Sequence, residues 1–268
     1  MKNFFVVKKL DHTDSPKIRD ILCRINYIAK AVGWCCVDDV SRSDVIIAIG
    51  GDGTMLYAMQ LGHSVNVPVL GFNIGKVGFL SEFSPDAVES SIVDIVNGQY
   101  SIDDRVLITE TGFNKLAVNE FVIAPEKTKE TLKYEFFVNG ISSGTHHANG
   151  LIISTPTGST AYSLSVGGSI IQPNAPVFQI TPIAPMSLNS RSVIVSNDEK
   201  IQVSIKIKRG VCYNLMADGQ ISANIEGSSI DYATMNFAKH TKPAKLIHGI
   251  DWNFFEVLQQ KLLWNAQI

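Results

Sequence analysis

The residues best suited to chemistry in this chain form one short run, Gly50-Gly51-Asp52-Gly53-Thr54, which directly follows the apolar residues 45–49. A short apolar run bounded by glycine is typical of a buried strand in a parallel sheet, and residues 55–60 beyond it are compatible with a helix. Glycines let a backbone come close to an anion, and the free N–H groups in the first turn of a helix point at it. The run therefore predicts a phosphate-binding turn between a strand and a helix.

The acid inside this turn separates it from other phosphate loops. No Gly-Lys-Ser/Thr closes it as in a Walker A loop, and its spacing is not G-x-G-x-x-G. A carboxylate that faces phosphate is repelled unless it binds a metal, accepts a proton from a nucleophile or hydrogen-bonds a sugar hydroxyl. The alternative is that Asp52 only caps the helix that follows, which is a common use of aspartate.

A second concentrated signal lies at residues 150–165, where an apolar run leads into hydroxyl residues and glycine. Six Ser or Thr residues fall between positions 154 and 163, whereas a capped helix needs only one of them. Hydroxyls and free N–H groups at such a start can bond a nucleotide base or ribose, with Ala161 and Tyr162 packing on the ring. The stretch therefore favours a ligand site.

A polar pair, Asn119-Glu120, interrupts an otherwise apolar run at residues 116–123. If the run is one strand, alternation puts Asn119 on the face of Phe121 and Glu120 on the face of Val122. Burying either group without a partner costs several kcal/mol. Internal hydrogen bonds or a ligand must satisfy them, and the residues alone leave both possibilities open.

The loop at residues 73–80 contains two glycines and Phe79 and follows the end of a predicted strand. Open α/β sheets bind ligands at that edge, so the loop suits a flat group lying against it. The alternative is an ordinary connection with a core phenylalanine.

The elements that must position these residues change in type along the chain. The first part alternates strands with helices, which predicts an α/β domain at residues 1–100 with a mostly parallel sheet. Its predicted elements are strands at 4–7, 34–37, 45–49 and 68–72, a helix from Pro16 to Val32 ended by Gly33, and a helix at 85–96. 

From about Arg105 the pattern predicts a β-rich domain at residues 101–240. Its predicted strands are 106–108, 114–124, 134–138, 151–154 and 201–207, with Asn-Gly turns at 139–140 and 149–150. Residues 241–268 are predicted to return to the first domain, with a terminal helix from Asp251 to Trp264 docking on the body.

Composition excludes several classes. The chain has 268 residues, 45% of them hydrophobic and 18% charged, which describes a globular protein. Its formal charge of -2 gives no electrostatic reason to expect a nucleic-acid partner, which usually binds a basic face. No apolar run approaches membrane-spanning length, so we expect a cytoplasmic protein with no membrane contact. Cys23, Cys35, Cys36 and Cys212 lack metal-site spacing and are expected to be buried free thiols.

These motifs together resemble one kinase family. The run at residues 50–54 matches a signature shared by NAD kinases, diacylglycerol kinases and sphingosine kinases. The second motif, Pro-Thr-Gly-Ser-Thr-Ala-Tyr-Ser at 156–163, is similar to NAD kinases alone. With Asn119-Glu120, the loop at 75–80 and Ala-Asp-Gly-Gln at 217–220, the chain resembles the NAD kinase family over about residues 44–220.

The resemblance implies an α/β N-terminal domain, a β-rich C-terminal domain and a C-terminal helix that folds back on the first domain. It implies transfer of a γ-phosphoryl group from ATP or polyphosphate to the 2′-hydroxyl of the adenosine ribose of NAD, giving NADP. Mg²⁺ or another divalent cation would accompany the nucleotide, bound by no protein residue that the sequence identifies, and the protein would be a homodimer or homotetramer.

By the same resemblance, Gly50, Gly51, Gly53 and Thr54 hold the donor phosphates, and Asp52 binds the acceptor hydroxyl as its base or orienting acceptor. Asn119 meets adenine, Phe79 lines the adenine pocket and Glu120 contacts ribose. The implied NAD-binding residues are Asp52, Gly53, Phe79, Asn119, Glu120, His147, Asn149, Thr157, Thr160, Ala161, Tyr162 and Ser165.

One position departs from the family pattern. The family usually has Asp-Gly before the second motif, near the nicotinamide end of the substrate, and here the pair is Asn149-Gly150. The preceding His146-His147 also replace residues that are often basic. A nucleotide-binding regulator without turnover is therefore one alternative function, and a lipid kinase of the diacylglycerol type is another.

Overall fold

The computed structural model of the protein describes residues 2–8, 15–75, 78–226 and 232–262. Residues 76 and 77 of the predicted loop and Trp264 of the predicted terminal helix lie outside these ranges. The chain forms two compact units, the first made of residues 1–104 and 244–268 and the second of residues 105–243.

The strands in chain order are β1 (Asn3–Lys8), β2 (Cys35–Cys36), β3 (Val45–Gly50), β4 (Val69–Asn73), β5 (Tyr100–Arg105), β6 (Ile108–Glu110), β7 (Lys115–Ala117), β8 (Glu120–Pro125), β9 (Leu132–Val138), β10 (Ile141–Ala148), β11 (Gly150–Ser154), β12 (Val177–Ile183), β13 (Val193–Ser196), β14 (Ile201–Lys206), β15 (Cys212–Ala217), β16 (Gln220–Glu226), β17 (Tyr232–Lys239) and β18 (Ala244–Gly249). The α-helices are α1 (Pro16–Val32), α2 (Asp52–Val65), α3 (Val88–Val96), α4 (Tyr162–Ser165) and α5 (Phe254–Leu262). Short 3₁₀ helices cover Val40–Arg42, Pro85–Ala87 and Thr157–Thr160.

The first unit contains a six-stranded sheet in the order β2-β1-β3-β4-β18-β5. Strand β1 pairs in parallel with β2 and β3, and β4 pairs in parallel with β3 and β18. All six residues of β3 are buried, as expected for a central strand covered on both faces. The predicted α/β domain with a mostly parallel sheet is confirmed.

Helix α1 illustrates how the sequence specifies this unit. Pro16 occupies the start of the helix, and Ile18, Ile21 and Ile25 are buried at helical spacing. Gly33 ends the helix in a left-handed conformation with φ 77°, which glycine adopts without a steric penalty. Ser15 stands at the N-cap position, although its hydroxyl makes no capping bond.

The second unit contains two six-stranded sheets in the orders β10-β9-β14-β17-β6-β7 and β13-β12-β11-β8-β15-β16. Their strand pairs are antiparallel. Phe121 of β8 and Phe237 of β17 meet with ring centroids 5.3 Å apart, so side chains from both sheets share one core. The predicted β-rich domain is confirmed.

The predicted single strand at residues 114–124 is wrong. The chain leaves β7 at Ala117 and enters β8 at Glu120, and these two strands belong to different sheets. The alternation of faces assumed for Asn119 therefore does not run through the pair, because Asn119 lies between the strands. Likewise, the run at 106–108 contributes only its last residue to β6.

The two Asn-Gly pairs behave differently. Asn139-Gly140 forms the predicted hairpin turn between β9 and β10, with both φ angles positive at 50° and 81°. The turn predicted at 149–150 is wrong, because Gly150 is the first residue of β11 and is buried. A Cβ there would lie 2.9 Å from Ile183 Cδ1, so the glycine serves close packing between strands.

The terminal helix, α5, begins at Phe254 rather than Asp251. It belongs to the first unit together with β18, which confirms that the C-terminal segment folds back on that unit. Within the described part of the chain, no helix is both long enough and apolar enough to cross a membrane.

The prediction that the cysteines are buried is wrong. Cys23, Cys35 and Cys36 are exposed, and Cys212 is only partly buried.

Candidate active site

In the first unit, Asp52 is the first residue of α2, immediately beyond β3 and the N-cap residue Gly51. It does not cap its own helix, so the capping alternative is wrong. Its Oδ2 accepts a hydrogen bond from the Phe79 N–H at 3.1 Å and its Oδ1 accepts one from the Leu80 N–H at 3.2 Å. The carboxylate is therefore oriented by the loop that follows β4.

The close approach of this loop to Asp52 requires glycine at position 78. A Cβ added to Gly78 would overlap Asp52 Oδ1 and would lie 2.5 Å from Ser81 Oγ. The Ser81 hydroxyl is buried without a hydrogen-bond partner in the described structure. Any larger residue at 78 would displace the carboxylate, the loop or both.

The glycines of the turn divide into two kinds. A Cβ at Gly50 would overlap Thr54 Oγ1, so only glycine at this position leaves room for the threonine side chain. In contrast, a Cβ at Gly51 or Gly53 would meet nothing within 4 Å. Open space beside the first-turn N–H groups of a helix is what an incoming phosphate requires.

Phe79 is half-buried, whereas its neighbour Leu80 is buried and fills the core position. Lys261 Nζ of α5 lies 5.7 Å from the centroid of the Phe79 ring, within cation–π range. The ring therefore stays at the surface of the loop, between Asp52 and the C-terminal helix, rather than serving as an ordinary core phenylalanine.

In the second unit, the Asn119-Glu120 segment is held by an acid that sequence reasoning assigned no role. The Asp218 carboxylate accepts hydrogen bonds from the N–H groups of Val118 at 2.8 Å, Asn119 at 2.7 Å and Glu120 at 3.2 Å. Asp218 and Gly219 have φ angles of 48° and 79° and connect β15 to β16. An Asp-Gly pair between alternating runs is a strong hairpin signal that could have located this turn, but not its distant partners.

Glu120 lacks a full set of partners. Its side chain is buried, and its Oε2 atom makes no hydrogen bond in the described structure. Burial, and then the nearby charge of Asp218, raise the pKa of the Glu120 carboxyl to about 8, against an opposing contribution from the Tyr162 N–H that donates to it. The internal hydrogen bonds that would make this residue purely structural are therefore incomplete.

Asn119 and the 3₁₀ turn at Thr157–Thr160 lie against each other. A Cβ at Gly158 would overlap the Asn119 carbonyl oxygen, so only glycine permits this contact. The Thr155 N–H donates to the Asn119 carbonyl at 2.9 Å, and the Thr155 hydroxyl donates to the Val118 carbonyl at 2.6 Å. The backbone of Asn119 is fixed between Asp218 on one side and this turn on the other.

Most hydroxyl groups at residues 154–163 are hydrogen-bonded to the protein itself, so their number is weak evidence for a ligand site. Thr155, Ser159 and Ser163 are buried and hydrogen-bonded to protein groups, and the Ser154 hydroxyl reaches the Gln179 carbonyl at 3.5 Å. The remaining candidates are close in the chain, and the Tyr162 N–H joins them to Glu120. This cluster contains buried Thr157, whose hydroxyl accepts from Arg105 Nη1 at 3.4 Å, and half-buried Thr160, whose hydroxyl donates to the Thr157 carbonyl at 3.2 Å. It also contains half-buried Ala161 and Tyr162, which is 43% exposed.

Three predicted residues make no hydrogen bond to this cluster in the described part of the chain. His147 is exposed on β10 and helps to line a recess of about 370 Å³ with Met186, whose N–H donates to the His147 carbonyl. Asn149 is exposed, and its N–H donates to the Ile183 carbonyl at 2.8 Å. Ser165 is exposed at the end of α4. His146, in contrast, stacks on Tyr134 and is structural.

Each unit thus presents an acid beside a glycine-dependent turn. The first has open space at a helix N-terminus, and the second has an incompletely paired carboxyl and an exposed aromatic ring. Such a pair of sites suits an enzyme that transfers a phosphoryl group between nucleotides. In the described residues, no group of three or more His, Cys, Asp or Glu side chains could hold a metal ion.

Sequence comparison identifies the family. The ATP-NAD kinase N-terminal domain matches residues 27–100, and the ATP-NAD kinase C-terminal domain matches residues 118–248. The NAD kinase of Azotobacter vinelandii is 33% identical over 232 residues, which cover 84% of this chain and 77% of that protein. The NAD kinase of Pseudomonas aeruginosa is 32% identical over 232 residues, which also cover 84% of this chain and 77% of that protein. The chain belongs to the NAD kinase family.

Solved structures show the same fold. Yeast NADH kinase complexed with NADH superposes with a TM-score of 0.85 at 20% identity, covering 100% of this chain and 89% of that one. An NAD kinase from Archaeoglobus fulgidus in complex with ATP gives a TM-score of 0.78 at 24% identity, covering 96% of this chain and 98% of that one.

Proposed function

We propose that this chain transfers the γ-phosphoryl group of ATP to the 2′-hydroxyl of the adenosine ribose of NAD, which gives NADP. The family assignment supports this reaction over the regulator and lipid kinase alternatives. The single structural observation that carries it is Asp52, an acid at the first turn of a helix whose carboxylate is oriented by two N–H groups from a neighbouring loop.

Asp52 acts on the acceptor hydroxyl. Each carboxylate oxygen accepts one N–H bond, and each oxygen has further acceptor capacity that a ribose hydroxyl can use. Asp52 holds that hydroxyl in position and takes its proton, or orients it, as the ribose oxygen bonds to the γ-phosphorus and the bond to the ADP oxygen breaks, which releases ADP. The helix N-terminus behind it faces the donor phosphates, with Gly50, Gly51, Gly53 and Thr54 forming the turn around them.

The divalent ion comes with the nucleotide. No protein cluster in the described residues supplies a metal site by itself, and the open turn leaves room for a nucleotide-bound ion. When bound, Mg²⁺ neutralises phosphate charge. The protein residues supply orientation and the proton acceptor.

The second unit binds the adenosine part of NAD. The unpaired Oε2 atom of Glu120 suits a ribose hydroxyl, and the exposed ring of Tyr162 suits a base. Asn119 bonds the edge of adenine. The remaining contacts to NAD come from Phe79, Thr157, Thr160, Ala161 and Ser165, with His147 near the ribose phosphates and Asn149 toward the nicotinamide end.

Donor, assembly and location are further parts of the proposal. ATP is the preferred donor, and polyphosphate is the alternative to be tested against it. The active protein is a homodimer or homotetramer, as the family resemblance implies. It works in the cytoplasm without nucleic acid or membrane partners.

The test is to mix purified protein with Mg²⁺, ATP and NAD and to measure NADP with an NADP-specific dehydrogenase. Parallel reactions replace ATP by polyphosphate and NAD by NADH or diacylglycerol. NADP formation that depends on ATP is expected. Binding of NAD without NADP formation would favour the regulator instead, and phosphorylation of diacylglycerol alone would favour the lipid kinase.

The matched variant is Asp52→Asn, in which an amide replaces the carboxylate without changing its size. Because an amide cannot take the hydroxyl proton, turnover should fall by about 10²–10⁴-fold, the usual contribution of a positioned acid or base. The fold should stay intact with a modest loss of stability, because the amide nitrogen cannot accept one of the two N–H bonds from the loop. A folded Asp52→Asn protein with near-normal kcat would contradict the role given to Asp52.

A further inference from the structure

A buried histidine lies a short distance behind the Asp52 loop. His248, on β18, is 1% exposed. Its Nδ1 atom lies 2.9 Å from Glu82 Oε2, its Nε2 atom lies 3.5 Å from Asp103 Oδ2, and its ring stacks on Trp252 with centroids 4.1 Å apart. Both ring nitrogens therefore face carboxylate oxygens in the interior of the first unit.

Glu82 connects this histidine to the loop that orients Asp52. Its Oε2 also accepts the Gly249 N–H at 3.2 Å, so the carboxylate is held at two points by β18. Phe83, the next residue, accepts the Asn73 N–H at 2.9 Å and thereby fixes the end of the segment beside β4. Only one residue, Ser81, separates Glu82 from Leu80, whose N–H bonds Asp52.

We propose that His248 is a positioning residue for the phosphoryl-transfer step. By holding Glu82, it fixes segment 78–83 against β18, so that the Phe79 and Leu80 N–H groups face the Asp52 carboxylate. The inference rests on the proposed function, because it concerns how Asp52 is oriented for that reaction.

Stability alone is a poor account of this arrangement. Burying a polar ring between two carboxylates carries a desolvation cost that the attraction often only offsets, and well-packed apolar residues commonly do as well. A positioning role explains why such a group stands where β18 meets the loop. A displacement of about 1 Å at a reacting group can cost on the order of 100-fold in rate, so a small shift transmitted by Glu82 matters.

Two substitutions separate the two nitrogens of the ring. His248→Asn keeps a donor near the Nδ1 position and can still hold Glu82, whereas His248→Gln keeps one near Nε2 and releases Glu82. We expect His248→Gln to lower kcat about tenfold, less than the roughly 100-fold cost of a 1 Å displacement, with KM values for ATP and NAD little changed. His248→Asn should retain most of the wild-type kcat.

The matched control is Glu89→Gln. Glu89 accepts a hydrogen bond from Arg24 Nε at 2.7 Å and joins α3 to α1 in the same unit, so the substitution also weakens a charged contact. It should lower the melting temperature without changing kcat. Glu82→Ala provides a second route if His248→Gln does not fold, since the Glu82 side chain is 24% exposed, and it should lower kcat as His248→Gln does.

Hydrogen exchange and a double-mutant cycle distinguish a positioning role of His248 from a general loss of protein stability. Hydrogen exchange at the Phe79 and Leu80 amides should accelerate in His248→Gln and not in Glu89→Gln. In an Asp52→Asn background, adding His248→Gln should cause no further loss, because groups that act as a unit are not additive. Equal fractional losses in both backgrounds, or equal kcat in the Asn and Gln variants, would overturn the proposal.

The same assays separate this inference from the function it rests on. If the wild-type chain forms no NADP, the proposed function fails. If the wild-type chain forms NADP and folded His248→Gln and Glu82→Ala turn over at the wild-type rate, only the positioning role fails.

Discussion

The Glu120 carboxyl offers a test of the second unit that does not depend on turnover. It is 5% exposed, its Oε2 atom is unpaired in the described structure, and the Asp218 carboxylate lies close by. The perturbation is Glu120→Gln, which keeps the shape of the side chain and removes its titration. The expected effect is a change in how protein stability depends on pH.

The size of this stability effect follows from the pKa of the Glu120 carboxyl. Burial and the Asp218 charge raise the pKa of the Glu120 carboxyl from 4.5 to about 8. Because a tenfold change in a proton equilibrium corresponds to about 1.4 kcal/mol, the charged form is about 5 kcal/mol less favourable in the fold than in the unfolded chain. This is an upper estimate, since a folded protein relaxes around a new charge.

The direction of the pH dependence follows from the number of protons that the folded and unfolded states bind. Between pH 4.5 and about 8 the folded protein holds a proton on Glu120 that the unfolded chain has released. Stability therefore falls as the pH rises through this window and levels off above it. Glutamine does not titrate, so the free energy of unfolding of Glu120→Gln should gain on the wild type steadily from about pH 5 to pH 8, by up to about 4 kcal/mol.

The assay is urea unfolding followed by circular dichroism at several pH values from 5 to 9. Glu226→Gln is the matched control, because Glu226 is exposed at the end of β16 and undergoes the same chemical change. The difference between Glu226→Gln and wild type should stay constant across this range. If the free energies of unfolding of wild type and Glu120→Gln change in parallel with pH, the Glu120 pKa is not raised in the fold. Glu120 would then be charged and paired in solution.

The remaining predictions concern substrate binding and turnover. Gly78→Ala should abolish turnover, because its Cβ would displace the Asp52 carboxylate. Gly53→Ala should fold at least as stably as wild type but raise the KM for ATP, and equal kinetics in the two variants would contradict the geometry. Tyr162→Ala and Asn119→Ala should weaken NAD binding in calorimetry more than they raise the KM for ATP, and equal losses for both substrates would count against the adenine contact. Asn149→Asp should raise kcat/KM for NAD by roughly tenfold or less, and less for NADH, because a charge-assisted bond adds about 1 kcal/mol over a neutral one and favours the cationic oxidised ring. An equal gain for both dinucleotides would refute the charge argument.

Local signals in the sequence predicted the first unit well. The apolar run before Gly50 and the helical spacing of α1 specify their elements through neighbours only a few residues away. The central turn and the class of fold follow from such signals. The β18 strand was not predicted, because a six-residue run that contains His248 looks the same whether it pairs in one sheet or another.

Sequence reasoning failed where long-range pairing decides the structure. The break between β7 and β8 at Val118-Asn119 has no local breaker such as proline or glycine. It is stabilised by Asp218, 100 residues further along the chain, which accepts the N–H groups that the break leaves unpaired. A period-two pattern cannot reveal a partner at that distance.

The two aspartates that organise the units use the same kind of bond but differ in what remains available. Asp218 accepts three N–H groups from residues 118–120, with two of them on Oδ1, so its carboxylate is largely occupied by the backbone it holds. Asp52 accepts one N–H group on each oxygen. Since an ionised carboxylate has about four acceptor sites, Asp52 keeps roughly half of its capacity for a ligand, whereas Asp218 keeps less. Orientation by the loop together with this remaining capacity makes Asp52, rather than Asp218, the acid suited to receive a substrate hydroxyl.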